Sequence, residues 1–225
     1  MSLARRTIAE AMGTAFLVMA VIGSGIAAQR LSPRDVGLQL LENSVVTGAA
    51  LMSLILALRP VSASFNPVVT LVERLLSLVT TREMLWSMAG QVVGGIVGAV
   101  LANLMFDLHA VSVSVHHRAD HGSLLAEAVA TAGLVMIVFG SIRAGRTETV
   151  AFAVGGYIAA AYWFTSSTSF ANPAVTVARV LTDTFAGIAP ASAPAFVLMQ
   201  LIGGGAGLGL VLLVYPGYQV TEGAP

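Results

Sequence analysis

Two Asn-Pro pairs stand at corresponding places in the two halves of the chain, and each begins an apolar segment. The residues involved are Asn66, Pro67 and Val68 in the first copy and Asn172, Pro173 and Ala174 in the second. Asn accepts hydrogen bonds from the free N–H groups of a helix start, and Pro is tolerated in the first turn. Both pairs therefore predict the start of a short helix, with an amide side chain at its tip that a polar solute can contact.

The composition indicates a membrane protein. Of the 225 residues, 56% are hydrophobic and 10% are charged, whereas soluble domains have about 25% charged residues. So few charges cannot cover a water-facing surface. The chain has no Cys, which excludes disulfides, thiol catalysis and thiolate metal sites, and its net charge of zero gives no reason to expect nucleic acid as a partner.

Apolar segments of about 20 residues, the length that crosses a bilayer as a helix, occur six times. They lie at 6–28, 40–58, 84–106, 124–143, 148–166 and 192–215. Two more, at 67–79 and 173–185, follow the Asn-Pro pairs and are too short to cross. We predict an all-α integral membrane protein with six transmembrane helices and two re-entrant half-helices.

The two halves of the chain repeat each other. Glu10 in the first span matches Glu127 in the fourth, and Gln91 matches Gln200. Because each half has three spans, the second half must be inverted relative to the first. We predict a single channel domain at 1–225, made of repeat one at 1–106, a connecting loop at 107–122 and repeat two at 123–225.

Most of the arginines fall on the side of the predicted bundle that holds the N-terminus. Cytoplasmic loops carry an excess of basic residues. We therefore expect a multi-pass protein of the inner (plasma) membrane with both termini in the cytoplasm.

Two inverted half-helices that meet in a membrane would form a pore. The positive ends of both helix dipoles point to the midplane and repel cations, protons included. The non-helical segments before them must turn their carbonyl groups to a water-filled lumen, because unpaired groups facing lipid cost several kcal/mol. A tube of this kind passes small neutral hydrogen-bonding molecules and rejects ions.

On these motifs the sequence resembles the major intrinsic protein family of aquaporins and aquaglyceroporins. The resemblance covers both Asn-Pro motifs, both glutamates and the two segments in which a glutamine is followed three residues later by a glycine pair, 91–95 and 200–204. It implies that the six Asn-Pro motif residues form the central constriction, and that Glu10 and Glu127 brace the re-entrant loops. It also implies a homotetramer in the lipid bilayer with one pore per subunit. Because the predicted spans contain no nucleophile–base set or metal cluster, we expect no enzymatic activity and no cofactor.

The residue after the second motif departs from the family pattern, in which it is normally Arg. Here it is Val175. Family spacing places the other positions of the selectivity filter at Val46, Ala160 and Ser169, a set without an aromatic residue, His or cation. Bacterial aquaglyceroporins associated with arsenic resistance show the same replacement of Arg by Val. The resemblance therefore implies a wide filter that passes glycerol and trivalent arsenic, as arsenite and its methylated forms, together with water.

The sequence leaves several alternatives open. Arg179, one helical turn beyond Val175, could reach the lumen, face the outer vestibule or extend to the lipid headgroups. His116, His117 and His121 in the connecting loop could bind Zn²⁺ or sense pH, or they could belong to a plain solvated loop. The other functions to consider are a water-selective aquaporin and, with less support, an ion-coupled secondary transporter.

Overall fold

The computed structural model describes residues 1–215, and these residues form helices joined by non-helical connections without any strand. The helices are α1 (Leu3–Leu31), α2 (Val36–Leu58), α3 (Pro67–Leu75), α4 (Thr81–Met105), α5 (His121–Arg143), α6 (Val150–Phe164), α7 (Pro173–Arg179) and α8 (Ala193–Val214). The prediction of an all-α fold with six long and two short helices is confirmed. Residues 216–225, which include the predicted cytoplasmic C-terminus and the end of repeat two, lie outside the described part.

Five of the six long helices are long and apolar enough to cross a membrane. The exception is α6, which has 15 residues and follows a single 3-10 turn at Thr147–Thr149. The chain becomes extended at Thr165, so the segment predicted at 148–166 contains a shorter α-helix than expected.

The half-helices α3 and α7 lie inside the bundle of long helices. Both are shorter than predicted, with nine and seven residues. Each half-helix contacts long helices of both repeats, since α3 packs on α4 and α8 while α7 packs on α8, α4 and α1, and the two also contact each other. The boundaries of the two repeats stay a prediction.

Glycines allow the long helices to approach within backbone contact. The largest helix interfaces are α1 with α4 and α5 with α8. A Cβ atom at Gly94 of α4 would overlap the carbonyl oxygen of Ala11, and one at Gly203 of α8 would overlap the carbonyl oxygen of Ala128. The same close approach at equivalent places in both repeats fixes the frame in which the half-helices are held.

Two glycines of α8 provide a matched test of this packing. Replacement of Gly203 by Ala should push α5 and α8 apart and lower the free energy of unfolding by roughly 1–3 kcal/mol. Gly205→Ala should be neutral or stabilising, because no atom lies within 4 Å of the added Cβ and Ala is the better helix former. Denaturation in detergent followed by tryptophan fluorescence measures both variants. Equal stabilities would contradict the proposed close packing.

Candidate functional site

The two half-helices begin at asparagines that act as N-caps. Asn66 Oδ1 accepts a hydrogen bond from Val68 N at 2.9 Å. Asn172 Oδ1 accepts hydrogen bonds from Ala174 N at 3.0 Å and from Val175 N at 3.3 Å. The motif residues therefore form the helix starts that the sequence predicts, and Pro67 and Pro173 occupy the first helical positions.

The same asparagines also bind the two repeats to each other. Asn66 Nδ2 donates to the carbonyl oxygen of Ala171 at 2.7 Å, and Asn172 Nδ2 donates to the carbonyl oxygen of Phe65 at 2.7 Å. Each amide nitrogen has two hydrogens, so one remains for the lumen. The two helix starts are thus joined by a reciprocal pair of hydrogen bonds, with one free donor on each side.

The residues that precede the asparagines have an unusual backbone conformation. Phe65 has a φ of 48° and Ala171 a φ of 45°, in the left-handed region that costs an L-residue about 1–2 kcal/mol. This conformation directs each carbonyl group to the asparagine of the other repeat. Neither Phe nor Ala favours it, and the sequence contains no signal from which it could be predicted.

Glu10 holds the loop before α3 from inside the bundle. Its side chain is fully buried. Its Oε1 accepts from Ser62 Oγ and, at 2.9 Å, from Ser64 N, while its Oε2 accepts from Phe65 N and Gln91 Nε2, both at 2.7 Å. The carboxylate therefore satisfies backbone groups that no helix or strand can pair.

Glu127 does the same for the loop before α7. It is fully buried, and its oxygens accept from Phe170 N at 2.9 Å, Ala171 N at 2.9 Å and Gln200 Nε2 at 2.6 Å. The two glutamates thus have equivalent partners in the two repeats.

Sequence reasoning missed that the glutamine of each repeat belongs to this network. Gln91 Nε2 also donates to Thr70 Oγ1, and Gln200 Nε2 to Thr176 Oγ1, both at 2.9 Å. Both threonines donate back to the carbonyl oxygen of the motif asparagine in their own repeat. The signal was present, because the glutamines and threonines recur together with the Asn-Pro motifs.

A cavity of about 340 Å³ runs past the asparagine pair. At the end on the same side of the bundle as the N-terminus of the chain, the cavity is lined by Arg6, Arg59 and Glu73. At the opposite end, beside the connecting loop, it is lined by Phe170 and Arg179. Between the ends, one wall is apolar and the other is formed by the non-helical segments. The apolar wall is lined by Val21, Leu51, Leu134, Val154 and Ile158.

Two of the four predicted filter residues lie outside this cavity. Val46 has an exposed fraction of 43%, and Ala160 is exposed as well. The neighbouring Thr47 and Tyr162 line the cavity instead, with Tyr162 Oη and Thr47 Oγ1 3.3 Å apart. The cavity lining thus differs from the positions given by family spacing by one residue in α2 and two in α6, and each residue turns a helix by about 100°.

The spacing of apolar residues could have identified the lining face. Thr47 shares an i, i+4, i+8 stripe with Leu51 and Ile55, and Tyr162 shares one with Val154 and Ile158, and all six line the cavity. The cavity lining therefore includes an aromatic residue, Tyr162, whereas the set given by family spacing has none. The other two predicted positions, Ser169 and Val175, do line the cavity.

Arg179 lines the cavity and does not extend to the lipid. Its exposed fraction is 2%. Its Nε donates to the carbonyl oxygen of Ala186, and its Cζ lies 3.3 Å from the centroid of the Phe170 ring. The cavity lining therefore includes a cation, one turn further along α7 than Val175.

The histidines of the connecting loop do not converge on a metal site. His116, His117 and His121 are all exposed, and only His116 has an acidic neighbour, with Nε2 3.6 Å from Asp183 Oδ1. Within residues 1–215 no group of three or more His, Cys, Asp or Glu side chains is placed to hold a metal ion.

Arg118 fastens the connecting loop to the segment after α7. Its Nε donates to Gly187 O at 2.8 Å and its Nη2 to Phe185 O at 3.0 Å. Burial lowers the pKa of the Arg118 guanidinium. At the start of α5, hydrogen bonds from Ser123 Oγ and N lower the pKa of the Asp120 carboxyl, which caps this helix.

The chain is similar to known proteins over most of its length. Residues 1–149 match the model of the major intrinsic protein family. Over 210 residues the chain is 48% identical to aquaglyceroporin AqpS of Rhizobium meliloti (strain 1021), a match that covers 93% of this chain and 89% of that protein.

Two solved structures have a similar fold. The X-ray structure of the aquaglyceroporin from Plasmodium falciparum matches with a TM-score of 0.71 and 16% identity, over 95% of this chain and 96% of that one. An FNT family ion channel matches with a TM-score of 0.54 and 14% identity, over 93% and 88% of the two chains. At these identities the likeness concerns the fold alone.

The hydrogen bonds of Glu127 can be tested by replacing its carboxylate group with an amide. In Glu127→Gln, an NH₂ group would face the donors that the carboxylate now accepts from, so we expect a loss of about 3 kcal/mol in unfolding free energy. Glu148→Gln, at an exposed position, is the control and should change little. The readout is chemical denaturation in detergent, and a wild-type midpoint for Glu127→Gln would argue against the brace.

Proposed function

Because this chain belongs to the major intrinsic protein family, whose members are membrane channels and not enzymes, we propose that it is a passive channel for small uncharged solutes. Its proposed substrates are glycerol and trivalent arsenic hydroxides, and water is a further permeant. The observation that carries the proposal is the reciprocal Asn66–Asn172 arrangement beside an open cavity. It leaves one amide donor of each asparagine for a passing solute.

The cavity has one apolar and one polar wall, which favours solutes that also have an apolar and a polar side. Leu51, Val154 and Ile158 form part of the apolar wall, and the facing segments offer backbone carbonyl groups and the asparagine amides. A small polyol has a carbon backbone for one wall and hydroxyl groups for the other. Arsenous acid, a neutral trihydroxyl molecule of about glycerol's size, fits the same description.

Ions are excluded by the centre of the pore. The N-terminal ends of α3 and α7 meet there, and each bears about half a positive charge. An ion would also lose its hydration shell where the lining offers only a few polar groups. A neutral solute avoids the first barrier and compensates for the second with its own hydrogen bonds.

Val175 favours solutes larger than water. Its short branched side chain leaves the space that a guanidinium group would fill at this position. The similarity to a protein named aquaglyceroporin supports the same solute class.

Tyr162 favours a second candidate, a water-selective pore. The phenol ring narrows the cavity near Thr47 more than the sequence predicts. An ion-coupled transporter has less support, because Glu10 and Glu127 do not line the cavity and their oxygens are engaged by loop groups.

We also propose a homotetramer in the inner membrane with a cytoplasmic N-terminus. Large apolar side chains exposed on the long helices support burial against lipid and against other subunits. The excess of Arg at the N-terminal side supports the orientation.

The Val175→Arg variant tests the substrate class. A guanidinium group should narrow the pore and reduce glycerol and arsenite permeability by about tenfold or more, equivalent to about 1.4 kcal/mol in the barrier, with a smaller effect on water. Stopped-flow swelling of proteoliposomes measures all three solutes, and Val175→Leu separates added bulk from added charge. A wild-type channel that passes water but neither larger solute would establish the water-selective alternative.

The position of the filter is tested by two substitutions on α6. Tyr162→Ala should raise the glycerol-to-water permeability ratio several-fold, because the ring lines the cavity. Ala160→Leu should leave the ratio unchanged, because this side chain faces outward. The opposite pattern would restore the filter positions derived from family spacing.

A further inference from the structure

Two buried polar groups in the loop-side half of the cavity lack hydrogen-bond partners. Ser169 has an exposed fraction of 3%, and its Oγ has neither donor nor acceptor within residues 1–215. Arg179 is 2% exposed, and over the same residues only its Nε has an acceptor, so that Nη1 and Nη2 have none. Both side chains line the cavity.

A buried guanidinium without a counter-ion is unfavourable unless something satisfies it. Glu127 is a neighbouring carboxylate, but its oxygens accept from Phe170, Ala171 and Gln200. The face of the Phe170 ring provides a cation–π contact and no hydrogen-bond acceptor. The two Nη groups must therefore be satisfied by what occupies the pore.

The guanidinium is held firmly in this position. Three consecutive carbonyl oxygens are bound by two arginines, those of Phe185 and Gly187 by Arg118 and that of Ala186 by Arg179. Both guanidinium groups lie over the Phe170 ring, with Cζ to centroid distances of 5.5 Å for Arg118 and 3.3 Å for Arg179. A fixed donor pair loses little entropy when a solute binds.

We propose that Arg179 and Ser169 form a binding site for a polyhydroxylated solute at the loop-side end of the pore. Nη1 and Nη2 donate to oxygens of the solute, and Ser169 Oγ accepts from a solute hydroxyl group. The charge of Arg179 also repels cations before they reach the asparagines. The inference rests on the proposed channel function and deepens it.

This site separates the width of the pore from its positive charge, two properties that a guanidinium at position 175 would set together. Four residues of helix displace Arg179 by about 6 Å along the axis, so that Val175 leaves the pore wide while Arg179 keeps the charge. The site therefore binds and orients a larger solute without closing the opening to it.

Arg179→Gln and Ser169→Ala test the two roles separately. Arg179→Gln should raise proton leak by about tenfold, the factor that corresponds to about 1.4 kcal/mol, and should lower the glycerol-to-water permeability ratio. Arg179→Lys keeps the charge but loses the paired donors, so proton exclusion should persist while the ratio falls. Ser169→Ala should lower the ratio without any leak. A matched control is Arg34→Gln, at an exposed position, which should behave as wild type.

The measurements are stopped-flow swelling for the two solutes and a pH-sensitive dye inside vesicles for protons. Wild-type proton exclusion in Arg179→Gln, or a wild-type permeability ratio in Ser169→Ala, would overturn the site. The Ser169→Ala variant decides the matter if the Arg179 variants do not assemble. A wild-type channel without glycerol flux would instead refute the proposed function, so the two failures are distinguishable.

Discussion

The requirement to satisfy non-helical backbone groups inside an apolar bundle governs this structure. The segments before α3 and α7 carry N–H groups that have no helical partner and no access to bulk water. A buried carboxylate in each repeat accepts from these groups, and a glutamine from a further helix orients that carboxylate. With the N–H groups bound on one side, the chain offers carbonyl oxygens on the other, and this division produces the polar wall of the pore.

Close packing of the long helices brings the side chains of this hydrogen-bond network together. Glu10 lies on α1 and Gln91 on α4, and the glycines of α4 let the two helices approach until the side chains meet. The equivalent contact joins α5 and α8. Small residues in the sequence thus determine whether a charged residue at the centre of the bundle finds its partners.

Much of the fold could be predicted from the sequence, because its signals are local or repeated. The Asn-Pro pairs predicted both half-helix starts, and apolar length predicted the six long helices. The pore-lining residues were harder to predict, since a count of residues does not fix the rotation of a helix, and the side chains of Val46 and Thr47 point about 100° apart. The direction of Arg179 depends on a carbonyl group seven residues later and on a ring nine residues earlier, which no local pattern encodes.

The crossed hydrogen bonds of Asn66 and Asn172 have a mechanical consequence. Each asparagine anchors the strained residue of the other repeat, so neither half-helix can retreat without breaking both bonds. These two hydrogen bonds hold the central constriction rigid, and the pore cannot be closed there by sliding one repeat against the other. Any change in conductance must therefore arise at the mouths, where Arg6 and Glu73 approach to 3.9 Å at one end and the loop held by Arg118 lies beside the other.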